Sequence, residues 1–490
     1  MTKPDTTIPS RTPIVWLIFV VAVLAAYFAG LTLPLVGPDE PRYAQVAREM
    51  FERGDLITPT LGGFNWFEKP ALLYWLEIAS YSVFGITEFA ARFGSAIFGL
   101  GTIVSLWLIG RQVEEKEFAK WLALIGASTI ALIAFAHGAS FDIILTFPLT
   151  AAMVSFFVYD KTKRTVALIA FYFFIGLAIL AKGLVGILFP FAIVGFYQVL
   201  IWTPPGRTLM FSALWGTILA ALVASTWYLP MYQQHGYDFI DQFFVQHHFQ
   251  RFTSNKYLHP QPFYFFFWVL PLMTIPWLPF FLAALWKLGR QYLREGVDKN
   301  SSMFRLRVFA FAWVAVPLVF FSFSGSKLPG YVLPSVPAAS ILAATFIYEF
   351  IQKSRFRRYA VMATAGITFA IVVMGAITVA PRFADGDSVK SLFAAADERG
   401  FTDTRVLMLH GISHNAEFYA PGRIARDADG KQKRLLGPHN VLEELRQNGG
   451  KPMLVIVPVE YLRQLLTTDL MRSELVKENG EVALVLVSEN

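Results

Sequence analysis

The run Ile14-Val15-Trp16-Leu17-Ile18-Phe19-Val20-Val21-Ala22-Val23-Leu24, continued with few polar interruptions to Leu35, is followed at once by Gly37-Pro38-Asp39-Glu40-Pro41-Arg42-Tyr43. The reading of that pair decides the fold. A stretch of roughly 20 apolar residues crosses a hydrocarbon layer of about 30 Å as a helix. The second stretch, with two acids, an arginine and a tyrosine, has to lie at the surface. Lys3 and Arg11 precede the run and no small-residue cleavage site follows it. It therefore reads as a retained first helix with its N-terminus in the cytoplasm.

Working outward, apolar runs recur near 13–35, 90–110, 118–136, 142–159, 165–181, 184–202, 209–229, 264–286, 305–323, 333–351 and 359–380, which predicts about eleven transmembrane helices. Composition agrees: 55% of 490 residues are hydrophobic and 16% charged, with a mean hydropathy of +0.49. That balance excludes a water-soluble domain of this length. The net charge of +7 gives no case for nucleic acid, because the basic residues sort by membrane side. Most of the Lys and Arg of the membrane-spanning part fall in the inside turns Arg111 to Lys120, Asp160 to Arg164, around Arg207, Lys287 to Arg307 and Lys353 to Arg358. There is no cysteine, hence no disulfide framework and no thiolate metal site.

Cations expected on the outer face work against that orientation bias: Arg42, Arg48, Arg53, Lys69, Arg92, Lys182, Arg251, Lys256 and Lys327. Arg48, Arg53, Arg92 and Lys256 read as solvated or snorkelling side chains. Lys69, Lys182, Arg251 and Lys327 stand in short turns beside apolar helix ends, at headgroup depth, where a cluster of cations suits a lipid phosphate. For Lys182, almost the whole connection between two helices, the choice is between snorkelling and binding phosphate.

In the first outer loop, 36–89, Pro41 to Phe51 has the spacing of a short amphipathic surface helix, with Asp39 at its N-cap. Asp39 and Glu40 are adjacent carboxylates, and Arg42 is close enough along a helix to orient one of them. Leu72 to Phe84 predicts a second surface helix. Asp142 begins a long apolar run. An acid at a helix centre costs roughly 2.5–3.5 kcal/mol, so its charge stays at the interface or finds a partner; a helix cap is the bland alternative. A second outer loop, 230–263, holds His247, His248, Arg251 and His259. A divalent metal on Glu68 and His248 is the weaker reading there, since no HExxH-like spacing occurs. Hydrogen-bonding groups of a substrate cavity are the stronger one. Ser324-Gly325-Ser326-Lys327-Leu328-Pro329-Gly330-Tyr331 breaks the chain while offering a cation and a hydroxyl; a bare turn competes with a site.

Residues 1–384 thus form a transmembrane domain. Residues 385–490 change character: strand-like Arg405–Leu409, Met453–Pro458 and Val482–Val487 alternate with helical Val389–Glu398, Val441–Asn448 and Tyr461–Met471, a small α/β domain on the outer side. Gly449-Gly450 follow a helix and act as a stop, not a nucleotide loop.

Taken as a set, Pro38-Asp39-Glu40-Pro41-Arg42-Tyr43-Ala44, Arg48-Glu49-Met50, Gly54-Asp55, Phe67-Glu68-Lys69-Pro70 with Tyr74-Trp75, Lys182-Gly183, His248…Gln250-Arg251-Phe252 and Ser326-Lys327-Leu328-Pro329…Tyr331 resemble the lipid A aminoarabinose transferases and related bacterial polyprenyl-phosphate-sugar glycosyltransferases. The protein O-mannosyltransferases are more distant. The resemblance implies a GT-C fold in the bacterial inner membrane, with an undecaprenyl-phosphate sugar donor and transfer to lipid A or lipopolysaccharide on the periplasmic face with inversion. It implies Asp39, Asp142 and Glu68 as site carboxylates and Lys69, Arg251, Lys327 and Tyr331 as donor-phosphate contacts. Glu40, Arg42, Tyr43, Lys182 and His248 would line the cavity. No cofactor is required by this scheme. The chain departs from the aminoarabinose enzymes after Lys-Leu-Pro, with fewer late helices. Transfer of a uronic acid or hexose to core lipopolysaccharide or protein, or transport of a lipid-linked sugar, are the alternatives.

Overall fold

A computed structural model describes residues 12–115, 117–250, 261–293, 298 and 300–490, with the side chains of 12–13 and 247–250 outside the description. Arg251, Lys256 and His259, and the side chains of His247 and His248, therefore lie outside the described residues. The chain forms two compact units. One comprises Met1–Ala29, Glu68–Leu73 and Gly94–Met374; the other comprises Gly30–Phe67, Tyr74–Phe93 and Gly375–Asn490.

The first unit is helical. All eleven apolar runs are helical, but seven helices among the described residues are long and apolar enough to cross a bilayer, or nine if each of two bent pairs is one span. The expected count of about eleven exceeds this because Ile14–Phe28 and Val185–Leu200 are shorter helices. The helix Arg207–Ile240 also runs past the expected loop start at 230, with Pro230 inside it and a break in helical geometry at Gly236. The bent pairs are Phe118–Ala127 with Ile130–Ala136, turning 58°, and Phe265–Met273 with Leu278–Leu293, turning 117°.

The two bends satisfy each other. Groups freed from a helix ladder inside a membrane must find protein partners. Here Ser128 and Thr129 bond back to Leu124 O and Ile125 O, while Trp277 Nε1 donates to Ile125 O at 3.0 Å and Ser128 Oγ at 3.1 Å. Ile130 N donates to Ile275 O across the same junction at 2.9 Å. Neighbouring helices approach through small residues, as where the Gly216 backbone lies against the Tyr172 ring and Gly186 against the backbone of Ala178. Leu214, Ile218 and Leu222 on one helix, and Ile367, Ile371 and Met374 on another, are exposed apolar faces of the kind that lipid covers.

The second unit gathers most of the first loop together with the C-terminal segment. The reason is packing: helix His414–Tyr419 lies on helix Glu40–Arg53. Five strands form the sheet in the order Arg434–Leu435, Val406–Leu409, Met453–Pro458, Val482–Ser488, Arg472–Glu478. The first three are parallel; the last two are antiparallel additions, with Leu454 opposite Leu486. Because side chains alternate along a strand, Leu407, Leu409, Val455 and Val457 bury one face against Val441, Leu445 and Leu465. Val406, Met408, Leu454 and Ile456 bury the other against Leu392, Phe393 and Ala416.

Candidate functional site

Within the first unit, Asp142 stands in the opening turn of helix Phe141–Thr162, where Ser140 and not Asp142 is the N-cap: the Ser140 hydroxyl accepts the Asp142 N–H at 3.2 Å. A carboxylate there is favoured by the helix dipole. Its side chain makes an ion pair with Lys182, the last residue of helix Thr165–Lys182. Gly183, at φ +68°, ends that helix and frees the chain to turn. Between snorkelling and binding phosphate, the two expectations for Lys182, the structure adds a third partner: its ammonium pairs with Asp142 and lies 5.1 Å from the Tyr331 ring centroid. Gly330, beside Tyr331, presses its backbone against the Asp142 carboxylate so closely that no side chain fits there. Asp142, Lys182 and Gly330-Tyr331, from three separate stretches of sequence, are thus one cluster.

Lys327 lies buried three residues before that contact. Its ammonium donates to Ser324 O at 2.6 Å and Gln261 O at 3.0 Å. Burial pulls its pKa below the ordinary lysine value. Glu68 and Lys69 pair with each other at 3.1 Å and are both mostly covered. Among the described residues no three His, Asp or Glu side chains gather as a metal site. A cavity of about 620 Å³ beside Tyr172, Phe191, Trp202 and Pro204 has no acid or base in its wall.

In the second unit, Asp39 holds the N-cap position of helix Glu40–Arg53 but makes no capping bond. Its half-exposed carboxylate pairs instead with Arg42, one turn on, as the helical spacing anticipates. The Arg42 guanidinium rests 5.3 Å from the Trp66 ring centroid and 5.8 Å from that of Tyr43, so its direction is fixed on both sides. Glu40 points elsewhere. It is buried, binds Arg92 Nε and Nη2 at 2.7 Å each, and accepts the Val36 N–H at 2.9 Å. Arg92 is accordingly not the solvated side chain expected from sequence; it is buried and also donates to the carbonyls of Leu31, Leu33 and Pro34. Glu40 is in this way an internal tie of the loop.

Sequence reasoning missed three groups that hold these stretches: Gly330 as the floor under Asp142, Trp66 under Arg42, and Arg92 as the partner of Glu40. An arginine five residues into an apolar helix was a usable signal, because a charge there needs a partner.

Residues 14–241 match the family of dolichyl-phosphate-mannose-protein mannosyltransferases. The undecaprenyl phosphate-alpha-4-amino-4-deoxy-L-arabinose arabinosyl transferase of Yersinia enterocolitica is 31% identical over 370 residues, 73% of this chain and 64% of that protein. Its counterpart in Aeromonas salmonicida is 32% identical over 352 residues, 71% of this chain and 62% of that protein. The chain resembles these arabinosyl transferases, as its motifs imply. It spans somewhat under two thirds of their length. The same fold occurs in the crystal structure of ArnT from Cupriavidus metallidurans bound to undecaprenyl phosphate, at a TM-score of 0.79 and 20% identity, over 97% of this chain and 98% of that one. An archaeal oligosaccharyltransferase from Archaeoglobus fulgidus is more distant, at a TM-score of 0.51 and 12% identity over 92% of this chain and 70% of that one. The expected polytopic helical membrane fold is therefore shared with these proteins.

Proposed function

We propose that this protein is an inner-membrane glycosyltransferase that moves a sugar, aminoarabinose or one like it, from undecaprenyl phosphate to lipid A or another lipopolysaccharide acceptor on the periplasmic face, with inversion. The observation that carries the reading is sequence likeness to the arabinosyl transferases together with the paired Asp142–Lys182 cluster at helix ends. In this reaction the bond between the anomeric carbon and the carrier phosphate breaks as the acceptor oxygen attacks from the opposite side. Negative charge grows on the leaving phosphate, and preorganised cations stabilise it. Lys69, Arg251 and Lys327 are assigned that role, with Tyr331 as a hydroxyl contact and His248 and Tyr43 as further polar groups. Lys327, buried and held by two backbone carbonyls, is oriented in advance of any anion it binds. Asp142 and Glu68, each beside a lysine, orient donor groups. Asp39, aimed by Arg42, faces the acceptor: as a positioning group when that is a phosphate, already nucleophilic, and as general base when it is a hydroxyl.

A transporter of lipid-linked sugars would place ionisable groups at broken helices in both halves of the chain. Among the described residues the two sharply bent helix pairs break at Ser128, Thr129, Thr274 and Trp277, which carry no charge. Transfer is the reading these residues favour. Purified protein given undecaprenyl-phosphate-linked aminoarabinose and lipid A is expected to yield modified lipid A, and Lys69→Ala or Asp39→Asn to reduce the rate at least a hundredfold with the fold retained. Full activity in both variants would remove the site assignment.

A further inference from the structure

The C-terminal segment reaches the loop that carries Asp39, and it does so through the backbone on both sides of Gly37. Gly37 N–H donates to Asp387 Oδ2 at 2.5 Å. Asn415 Nδ2 reaches Gly37 O at 3.5 Å and Asp387 O at 3.3 Å, so one amide spans loop and tether. Two residues upstream, Leu35 N–H donates to Tyr419 Oη at 2.8 Å, and that hydroxyl donates onward to Glu88 at 3.2 Å. Lys390 closes the ring by pairing with Glu88 at 2.5 Å. Gly37 has φ +66°, a conformation that a side chain resists, and Pro38 follows with its φ fixed. The direction in which the chain enters Asp39 is therefore set by three main-chain groups, each held by a residue between 387 and 419. Within the first loop Glu40 holds the intervening Val36 N–H, while Asp39 makes no capping bond of its own, so the hold on both sides of Gly37 comes from the C-terminal segment.

We infer that Asp387 and Asn415 are positioning residues for Asp39, and that the C-terminal α/β segment serves turnover by fixing the entry to the Asp39–Arg42 turn. The inference rests on the transferase reading above for its rate effects, and on the hydrogen bonds alone for its effect on the backbone. What Asp387 supplies is an acceptor oxygen, not a charge, so asparagine is expected to substitute for it and alanine is not.

The test uses the full chain in detergent or nanodiscs. Asp387→Ala is expected to raise hydrogen exchange at residues 35–43 at least tenfold while the sheet stays protected, and to lower kcat at least tenfold with the donor KM within twofold. Asp387→Asn should restore both towards wild type, and Arg399→Ala, which removes an exposed pair with Glu474 away from the loop, should change neither. If Asp387→Ala does not fold, Asn415→Ala carries the same expectation. Unchanged kcat and exchange in a folded Asp387→Ala or Asn415→Ala protein would overturn the inference, as would equal losses in Asp387→Ala and Asp387→Asn. A wild-type protein that transfers no sugar yet shows the exchange effect would sink the transferase reading and leave the tether standing.

Discussion

The ammonium of Lys182 closes on the carboxylate of Asp142, so the last residue of one apolar helix neutralises the first-turn acid of its neighbour. Each side chain is about one fifth exposed, 19% and 20%. Removing one partner of a fully buried pair costs about 3–5 kcal/mol, and partial exposure reduces that here to roughly 1–3 kcal/mol. Lys182→Met is therefore expected to lower thermal stability by several degrees. Lys182→Met combined with Asp142→Asn should recover most of the stability and none of the transfer activity, in a double-mutant cycle read by unfolding and by assay.

Gly330→Ala tests the other side of Asp142. A methyl group there would overlap the carboxylate. Forcing extra volume into a packed site typically costs about 1–3 kcal/mol. The variant should fold and lose at least tenfold in rate, because Asp142 must leave its place; a fully active Gly330→Ala protein would show that the carboxylate position does not matter.

Glu77 supplies a pH dependence. It is completely buried in the short helix Leu72–Phe84, and neither carboxylate oxygen has a hydrogen-bond partner among the described residues. Burial, with Glu40 nearby, pushes its pKa well above 4.5. A raised folded-state pKa means the native protein holds a proton that the unfolded chain releases above pH 4.5. Its contribution to stability is thus full below that pH and is lost as pH rises towards the folded value. Unfolding followed between pH 5 and 8 should show wild-type stability falling, and Glu77→Gln should flatten that slope, all else equal.

Trp277→Phe probes the junction of the two bent helices. The change keeps an aromatic ring and removes the N–H that Ile125 O and Ser128 Oγ share. Ile125 O keeps the Thr129 hydroxyl as a donor, so the loss is that of one buried hydrogen bond, about 0.5–1.5 kcal/mol. A lowered unfolding temperature in detergent is expected, and unchanged stability would mean that the junction relaxes without that bond.

Much of this was legible in the sequence, and the failures have physical causes. The strands Met453–Pro458 and Val406–Leu409 were readable because they are apolar on both faces, as central strands are. Arg472–Glu478 escaped because an exposed edge strand carries charge and has little apolar signal. Hydropathy located the helical runs but does not reveal that Ser128-Thr129 and Pro276 break two of them. Asp39 and Arg42 could be paired from helical spacing, whereas Asp142 with Lys182 and Gly330, and Gly37 with Asp387, are long-range meetings on which spacing is silent. Glu40 and Arg92 were misread for the same reason: local sequence showed two charges, and only the fold shows that they neutralise each other.

The central claim, transfer of a carrier-linked sugar to lipopolysaccharide, is tested most directly by mass spectrometry of lipopolysaccharide from cells with and without this protein. A sugar-sized increment on lipid A or core, present with the wild type and absent with Asp39→Asn or without the protein, is the expected result. Identical lipopolysaccharide in cells that make the folded protein and have the undecaprenyl-linked donor would contradict it.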